Sequence, residues 1–171
     1  MAKATGPLYN VHFKRRREGR TDYEKRLSLL KSGKARLVVR KANKSILVQV
    51  IVYGENGDKT VASATSKVLA KFGFPGKSNT PSAFLTGLLC GVKAKEKGVS
   101  EVVLDVGLHT PSKGSVVFAA LKGALQAGLN AKVGEEKLPS EERIAGKHLS
   151  GEIAVKFEDA RQKILASGVK G

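Results

Sequence analysis

This sequence contains very little cysteine and no long apolar run. Its single cysteine, Cys90, excludes an internal disulfide, and its apolar neighbours indicate a small core residue. The longest apolar stretches are interrupted by Gln49, Lys93 or Lys122, so none of them predicts a signal peptide or a membrane span. We therefore expect a cytoplasmic protein without a membrane partner.

The sequence also lacks the clusters that catalysis or metal binding would need. Its three histidines, His12, His109 and His148, are far apart, and none has a neighbouring Cys or His at metal-ligand spacing. Carboxylates are scarce outside the C-terminal part, so paired-acid chemistry has no supporting cluster. We expect no metal, no cofactor and no enzymatic activity.

One segment resembles part of a nucleotide-hydrolase site. Gly76-Lys77-Ser78 is similar to the end of a phosphate-binding loop, and Val102-Val103-Leu104-Asp105 is similar to an apolar strand that ends in a magnesium-binding Asp. The spacing fails, because Lys71 occupies the position where the phosphate-binding loop needs its first glycine. The preceding residues 68–72 do not form a convincing strand either, so the sequence does not indicate hydrolysis.

Positive charge near the N-terminus is what the sequence has in excess. Residues 1–44 contain fourteen Lys and Arg against three acids, in a chain whose net charge is +16. Such a density repels itself unless a partner brings many negative charges close together, as a nucleic-acid backbone does. The run Lys14-Arg15-Arg16-Arg17 alone could be a solvated tail or a localisation signal. Because the charge continues as far as Lys44, the sequence favours an element that binds a polyanion.

The chain length and apolar content fit a single compact domain with extensions. The 171 residues are 41 % apolar, which is enough for an ordinary core. Residues 1–21 show no lasting hydrophobic period and are predicted to form an extended basic arm. Residues 22–130 are predicted to form an α/β domain, and residues 131–171 a short helical C-terminal tail.

Hydrophobic periodicity predicts the first half of the domain. Tyr23, Leu27 and Leu30 recur at helical spacing after Asp22, a good N-cap. Three β-rich runs follow, at residues 37–39, 45–53 and 60–64, and they predict a three-stranded antiparallel meander. Asn56-Gly57 between the second and third runs predicts a hairpin in which both turn residues have positive φ.

The second half is predicted to be helix, strand, helix. Thr80 is the expected cap of the first helix, and Gly87 and Gly91 are expected to let it approach the sheet closely. Residues 101–106 predict a strand parallel to the first, and residues 115–126 predict the next helix. The fold class is therefore α/β, with the sheet covered by helices. Two tail helices are expected, one starting at Ser140-Glu141-Glu142 and one with an apolar face made by Ile153, Phe157, Ala160 and Ile164.

Four blocks of the sequence resemble a known family. They are Gly6-Pro7-Leu8-Tyr9-Asn10-Val11 with Phe13 to Tyr23, Arg36 to Ile46, Ser82 to Leu89, and Leu104 to Leu108 leading to Gly114-Ser115-Val116-Val117-Phe118. In this order they are similar to the archaeal and eukaryotic form of large-subunit ribosomal protein number eighteen, over residues 5–130. The resemblance implies a structural, non-enzymatic constituent of the large ribosomal subunit. Its implied partners are 5S rRNA, the large-subunit rRNA and neighbouring ribosomal proteins of the central protuberance.

The resemblance also implies which residues contact RNA. They are Tyr9, Lys14, Arg15, Arg16, Arg17, Arg20 and Tyr23 in the arm and the helix after it, Arg40, Asn43, Lys44 and Ser45 at the first strand turn, and Ser112, Lys113 and Ser115 before the last domain helix. Arg26, Arg36 and Lys41 of the basic run complete the candidate set.

Several of these residues also have purely structural interpretations. Ser115 could be a plain N-cap, Asn43 a turn residue that tolerates positive φ, and Tyr23 a staple for the short helix. The tail departs from the family pattern, because residues 130–134 do not match the Ile-Pro-His type segment of many members. A free RNA-binding or RNA-chaperone factor is the alternative function, since composition alone does not separate it from a ribosomal protein.

Overall fold

The computed structural model describes residues 6–149 and 151–167, which form helices packed on a four-stranded sheet. In chain order the elements are α1 (Lys14–Arg17), α2 (Tyr23–Leu30), β1 (Ala35–Lys41), β2 (Ile46–Val52), β3 (Lys59–Thr65), a 3-10 helix (Ser66–Phe72), α3 (Thr80–Glu96), β4 (Val102–Asp105), α4 (Val116–Gln126), a second 3-10 helix (Glu135–Lys137), α5 (Glu141–Ala145) and α6 (Gly151–Ser167).

The sheet has the predicted topology. Its strand order is β3-β2-β1-β4, with β1, β2 and β3 antiparallel and β4 parallel to β1. In the parallel pair, Leu37 lies opposite Leu104 and Val38 opposite Asp105. Since β1 and β4 run in the same direction, the β1–β2 turn and the loop after β4 lie at the same end of the sheet.

One face of the sheet carries the core. Leu37 and Val39 of β1, with Val48 and Val50 of β2, are fully buried, and the alternation along each strand directs them to the same side. Helices α3 and α4 pack together over the core. The opposite face carries Arg36, Val38 and Asp105, which are also buried.

The two glycines of α3 serve a different contact from the predicted one. A Cβ on Gly87 would collide with the backbone of Ala120, and a Cβ on Gly91 would lie 2.6 Å from the Cβ of Ala127. Both neighbours belong to α4 or its C-terminus, so the glycines allow a close helix–helix approach and not a helix–sheet approach. The prediction identified the close packing but assigned it to the wrong element.

Two local predictions need correction. The N-cap of α3 is Asn79, whose side chain accepts from the Ser82 amide at 3.1 Å, and Thr80 is already helical. In the β2–β3 hairpin only Gly57 has positive φ, because the loop is longer than the two-residue turn that requires it twice.

The arm is not extended throughout. Lys14 to Arg17 form the single helical turn α1, in which the Phe13 carbonyl accepts from the Arg16 and Arg17 amides at 2.9 and 3.0 Å. The Phe13 ring packs against Tyr23 of α2 with 5.3 Å between centroids. This contact anchors the turn to α2, and hydrophobic periodicity could not detect so short a helix. Residues 1–5 of the predicted arm lie outside the described residues.

The C-terminal helices form as predicted and pack on the domain. Phe157 of α6 is buried against Phe84 of α3 and Phe74, with ring centroids 5.6 and 6.4 Å away. Ala160 and Ile164 lie on the same buried face of α6. None of the helices in the described ranges is long and apolar enough to span a membrane.

Candidate nucleic-acid interface

A groove of about 640 Å³ lies between the arm, α2 and the sheet face that α3 and α4 leave uncovered. Its floor is formed by strand residues whose neighbours along the chain point into the core. We call it the arm groove. Its lining residues include Arg15, Arg20, Tyr23, Lys25, Arg26, Arg36, Val38, Arg40, Ile51, Asp58, Leu104, Asp105, Gly107 and Leu108.

Five charged side chains alternate in sign along this groove. Asp58 Oδ2 accepts from Arg26 Nη2 at 2.9 Å and from Arg36 Nη2 at 2.7 Å. Asp105 accepts from Arg36 Nη1 at 3.1 Å and from Arg40 Nη2 at 3.0 Å. We call this series the ion-pair chain. It joins α2, the β2–β3 loop, β1 and the end of β4 by charge-assisted hydrogen bonds.

The pKa of Asp58 reflects its position between two guanidinium groups. Burial raises the pKa of this carboxyl, but the hydrogen bonds and charges of Arg26 and Arg36 outweigh it, so the pKa lies below its ordinary value. Asp58 is therefore a carboxylate at neutral pH and neutralises part of the basic groove.

Arg36 is the one predicted RNA contact that the structure buries. It is 3 % exposed, and its two Nη atoms donate to Asp58 and Asp105. Its Nε has no hydrogen-bond partner among the described residues. Since the guanidinium faces carboxylates and not solvent, Arg36 holds strands together here. The run of apolar residues after it was the sequence signal for burial.

Arg40 is held just as firmly but remains at the surface. Its Nη1 donates to the carbonyls of Val39 and Asp105 at 3.0 and 2.9 Å, and Nη2 donates to Asp105 Oδ1. The side chain is 41 % exposed. Arg40 therefore presents a fixed guanidinium at the end of β1.

The arm places its cations in solvent. Arg15 Nε donates to Thr21 Oγ1 at 2.8 Å, and Arg20 pairs with Glu18 at 3.1 Å. Arg16 and Arg17 are exposed, and no carboxylate in the described part of the chain pairs with either. Lys14 and Tyr9 are exposed as well. Phosphates can neutralise Arg16 and Arg17 without the loss of an ion pair within the protein.

Helix α2 is fixed at its start by its cap. Asp22 accepts from the amides of Lys25 and Glu24 at 3.1 Å, and the hydrogen bond from the Lys25 amide is the main cause that lowers its pKa. Tyr23 packs on Phe13, which agrees with the structural interpretation of Tyr23 as a staple for the helix. Its side chain also lines the arm groove, so the two roles are compatible.

The β1–β2 turn presents polar side chains at the same end of the sheet as Arg40. The Ala42 amide donates to the Ser45 carbonyl at 2.9 Å, and the Ala42 carbonyl accepts from Ser78 Oγ at 2.7 Å. Asn43 and Lys44 at its tip are exposed, as is Lys41. Asn43 has no positive φ, so turn conformation does not explain its identity.

The loop after β4 brings the third group of predicted residues. Ser112 and Lys113 are exposed, and Lys113 pairs with Glu136 at 3.1 Å. Ser115 occupies the N-cap position of α4, but its side chain makes no capping bond. Its Oγ is buried without a partner among the described residues. The plain N-cap interpretation therefore holds for its position but not for its side chain.

The structure adds groove residues that the sequence did not identify. Asp58, Asp105, Gly107 and Leu108 all line the arm groove. Asp105 had been compared with a magnesium-binding Asp, whereas here it pairs with Arg36 and Arg40. The available signal was the predicted parallel pairing of β4 with β1, which sets an acid beside two strand arginines.

The segment that resembles a phosphate-binding loop has structural contacts. A Cβ on Gly76 would collide with the carbonyl of Ser66, and Ser78 bonds to the Ala42 carbonyl. Burial raises the pKa of the Cys90 thiol to about 11, as expected for a core cysteine. In the described ranges, no three His, Cys, Asp or Glu side chains are grouped to hold a metal ion.

Comparison with known families agrees with the resemblance read from the sequence. A family model described as ribosomal large subunit proteins 60S L5 and 50S L18 matches residues 8–98, more than half of the chain. The matched region contains the arm turn α1, α2, the whole meander and α3. It also contains Arg26, Arg36, Arg40 and Asp58 of the ion-pair chain.

Proposed function

The chain belongs to the family of ribosomal large subunit proteins 60S L5 and 50S L18, and we propose that it binds 5S rRNA and helps to attach it to the large-subunit rRNA. Membership makes it an rRNA-binding protein of the large ribosomal subunit, with rRNA and ribosomal proteins as partners. The finer assignment, to 5S rRNA in the central protuberance, is the proposal.

The distribution of charge supports binding to an RNA backbone. The chain carries 31 Lys and Arg against 15 Asp and Glu. The five described arm cations are exposed, and three of them, Arg15, Arg16 and Arg17, pair with no carboxylate in the described ranges. In β1, Arg36 and Arg40 are paired with Asp58 and Asp105. The arm therefore supplies electrostatic affinity, while the paired residues supply a rigid surface.

The convergence of three candidate regions carries the proposal. Because β1 and β4 are parallel, the β1–β2 turn and the loop after β4 lie at one end of the sheet. The arm residues Arg15 and Arg20 line the same groove as Arg40 at that end. The arm and the first residues of the loop after β4 therefore share one groove, and the β1–β2 turn lies at the same end of the sheet.

This combination suits the recognition of folded RNA. Double-stranded RNA is read mostly by shape and through its 2′-hydroxyls and phosphates, which requires donors at fixed relative positions. The ion-pair chain fixes Arg26 and Arg40 on either side of Arg36. We propose that the exposed candidates in the arm, the β1–β2 turn and the loop after β4 contact RNA, and that Arg36 supports them from below.

A competition assay tests the proposal. At physiological salt the purified chain should bind 5S rRNA stoichiometrically and in preference to transfer RNA of similar length, because a rigid face selects shape as well as charge. Sedimentation of cell extract should place the chain with the large subunit. Equal affinity for both RNAs would favour a free RNA-binding or RNA-chaperone factor, the alternative function.

A further inference from the structure

The guanidinium of Arg40 is covered on one face by a glycine. A Cβ built on Gly107 would lie 2.8 Å from Arg40 Cζ and 3.0 and 3.1 Å from its Nη1 and Nη2. Because these three distances are nearly equal, the Cβ position lies above the plane of the guanidinium and not beside its edge. Gly107 therefore packs against one face of the guanidinium, and a Cβ at this position would displace the guanidinium.

The edge of the same guanidinium is largely occupied by protein acceptors. Nη1 donates both protons, to the Val39 and Asp105 carbonyls, and Nη2 donates one to the Asp105 carboxylate. The Gly107 amide donates to the Asp105 carboxylate at 2.9 Å, and this hydrogen bond fixes the loop after β4 next to the guanidinium. The orientation of the guanidinium plane is thus set before any ligand arrives.

Since Gly107 covers one face of the guanidinium and acceptors occupy most of its edge, the opposite face is the part left for a ligand in the arm groove. Arg40 is 41 % exposed, and the next residue after Gly107, Leu108, lines the same groove with 58 % exposure. A flat cation beside an exposed apolar side chain suits a flat aromatic ligand better than a phosphate. The paired carboxylate of Asp105 also offsets the charge that would attract a phosphate.

From this arrangement we infer that Arg40 is a stacking platform for a single unpaired RNA base in the arm groove. Gly107 and Asp105 are its positioning residues, and the exposed cation Arg15 on the groove wall, which pairs with no carboxylate in the described ranges, neutralises the phosphate of the stacked nucleotide. Unstacked bases in RNA loops and bulges commonly stack on arginine planes. This inference rests on the proposed rRNA-binding function and adds a specific contact to it.

Missing-base interference tests the inference with the full chain. Two RNA pools, 5S rRNA and fragments of large-subunit rRNA, are prepared with single bases removed at random and selected for binding. For the wild-type chain, one removed base should lower affinity by about tenfold, the size of a partly desolvated cation–π contact. Arg40→Lys keeps the charge but loses the plane, so intact RNA should bind about tenfold more weakly and that position should no longer interfere.

Two further variants complete the design. Gly107→Ala should abolish the same interference while Arg40 is still present, because the added methyl group displaces the guanidinium and the φ of +63° disfavours a residue with a Cβ. Arg143→Lys, at an exposed position of α5 outside the arm groove, should leave the interference pattern unchanged. Circular dichroism of each variant verifies that the fold is retained.

The outcomes separate this inference from the proposed function. The RNA pool that contains the interfering position shows which RNA is bound. Loss of the interference in Arg40→Lys shows that the base at that position stacks on Arg40. If the position lies only in the large-subunit rRNA, the 5S assignment fails and the stacking inference stands. Uniform weakening by Arg40→Lys at every position would indicate a phosphate contact and overturn the inference. Unchanged RNA binding would overturn it too, in favour of an aromatic side chain of a protein partner.

Discussion

Arg36 and Asp105, sixty-nine residues apart in the sequence, form a buried ion pair with 3.1 Å between Nη1 and Oδ2. The pair joins the parallel strands β1 and β4 on the sheet face opposite the core. Asp105 also accepts from Arg40 and from the Gly107 amide. The Asp105 carboxylate therefore holds both the buried Arg36 and the exposed Arg40 in place.

Removal of this carboxylate should destabilise the domain. In Asp105→Ala the buried Arg36 keeps only Asp58 as a partner, and we expect a loss of about 2–3 kcal/mol, below the full cost of an unpaired buried charge. Urea unfolding at pH 7 measures it. The control Glu136→Ala breaks an exposed pair with Lys113 and should change stability by less than about 0.5 kcal/mol. Equal effects of the two changes would show that the Asp105 network does not support the fold.

The lowered pKa of Asp58 predicts a pH-dependent contribution. A carboxyl with a folded-state pKa below its unfolded value of about 3.9 stabilises the fold above that pH, and the contribution is lost as pH falls through the folded-state pKa. The stability gap between the wild type and Asp58→Asn should therefore be constant from about pH 7 to pH 5 and narrow below about pH 4. Chemical unfolding over this range measures the gap. A gap that widened toward low pH would contradict the ion-pair assignment.

The close contact between α3 and α4 at Gly87 predicts that a larger residue there destabilises the fold. The added Cβ of Gly87→Ala would collide with the Ala120 backbone, so α3 and α4 must separate, at a cost of about 1–3 kcal/mol typical of overpacking. Gly134→Ala is the matched control, because its φ of -73° suits any residue and its nearest neighbour is a flexible side chain at 3.6 Å. It should stay within about 0.5 kcal/mol of the wild type in thermal unfolding. Similar losses in both variants would mean that the helices adjust freely.

Local signals in the sequence were sufficient for the four strands and for helices α2 to α6, but not for α1 or the two 3-10 helices. The β-rich run Leu37-Val38-Val39 identified β1, and the helical spacing of Phe157, Ala160 and Ile164 identified the buried face of α6. The partner of Gly87 could not be predicted, because a glycine in a helix signals a close neighbour without saying which one. The ion-pair chain was missed for a related reason. Arg36 and Asp105 come together only when β1 pairs with β4, so the sequence alone led us to interpret Arg36 as an exposed RNA contact.

The β1–β2 turn should separate binding from folding. In the double variant Asn43→Ala and Lys44→Ala, both side chains are exposed and neither turn residue has positive φ. We expect weaker 5S rRNA binding, with stability changed by less than about 0.5 kcal/mol because no core contact is lost. Filter binding and thermal unfolding measure the two quantities. A large fall in melting temperature would assign Asn43 to the fold.

Charge in the arm should appear as salt dependence. Arg16 and Arg17 are exposed, and no carboxylate in the described part of the chain pairs with them. In the double variant Arg16→Gln and Arg17→Gln, the slope of log affinity against log salt should become shallower by about 1.4–1.8, at about 0.7–0.9 per phosphate contact. Circular dichroism should be unchanged, because neither side chain contributes to the core. The preference for 5S rRNA over transfer RNA should persist at low salt although absolute affinity is lower.

The matched control removes the same charge from the other side of the protein. Lys71 lies in the first 3-10 helix and Lys163 lies on α6. Both are exposed, and neither lines the arm groove. Lys71→Gln with Lys163→Gln should leave the salt slope almost unchanged, since a phosphate contact and not net charge sets it. If both double variants lowered the slope equally, the arm would act only through the overall charge of the chain. Arg16 and Arg17 would then make no phosphate contacts of their own.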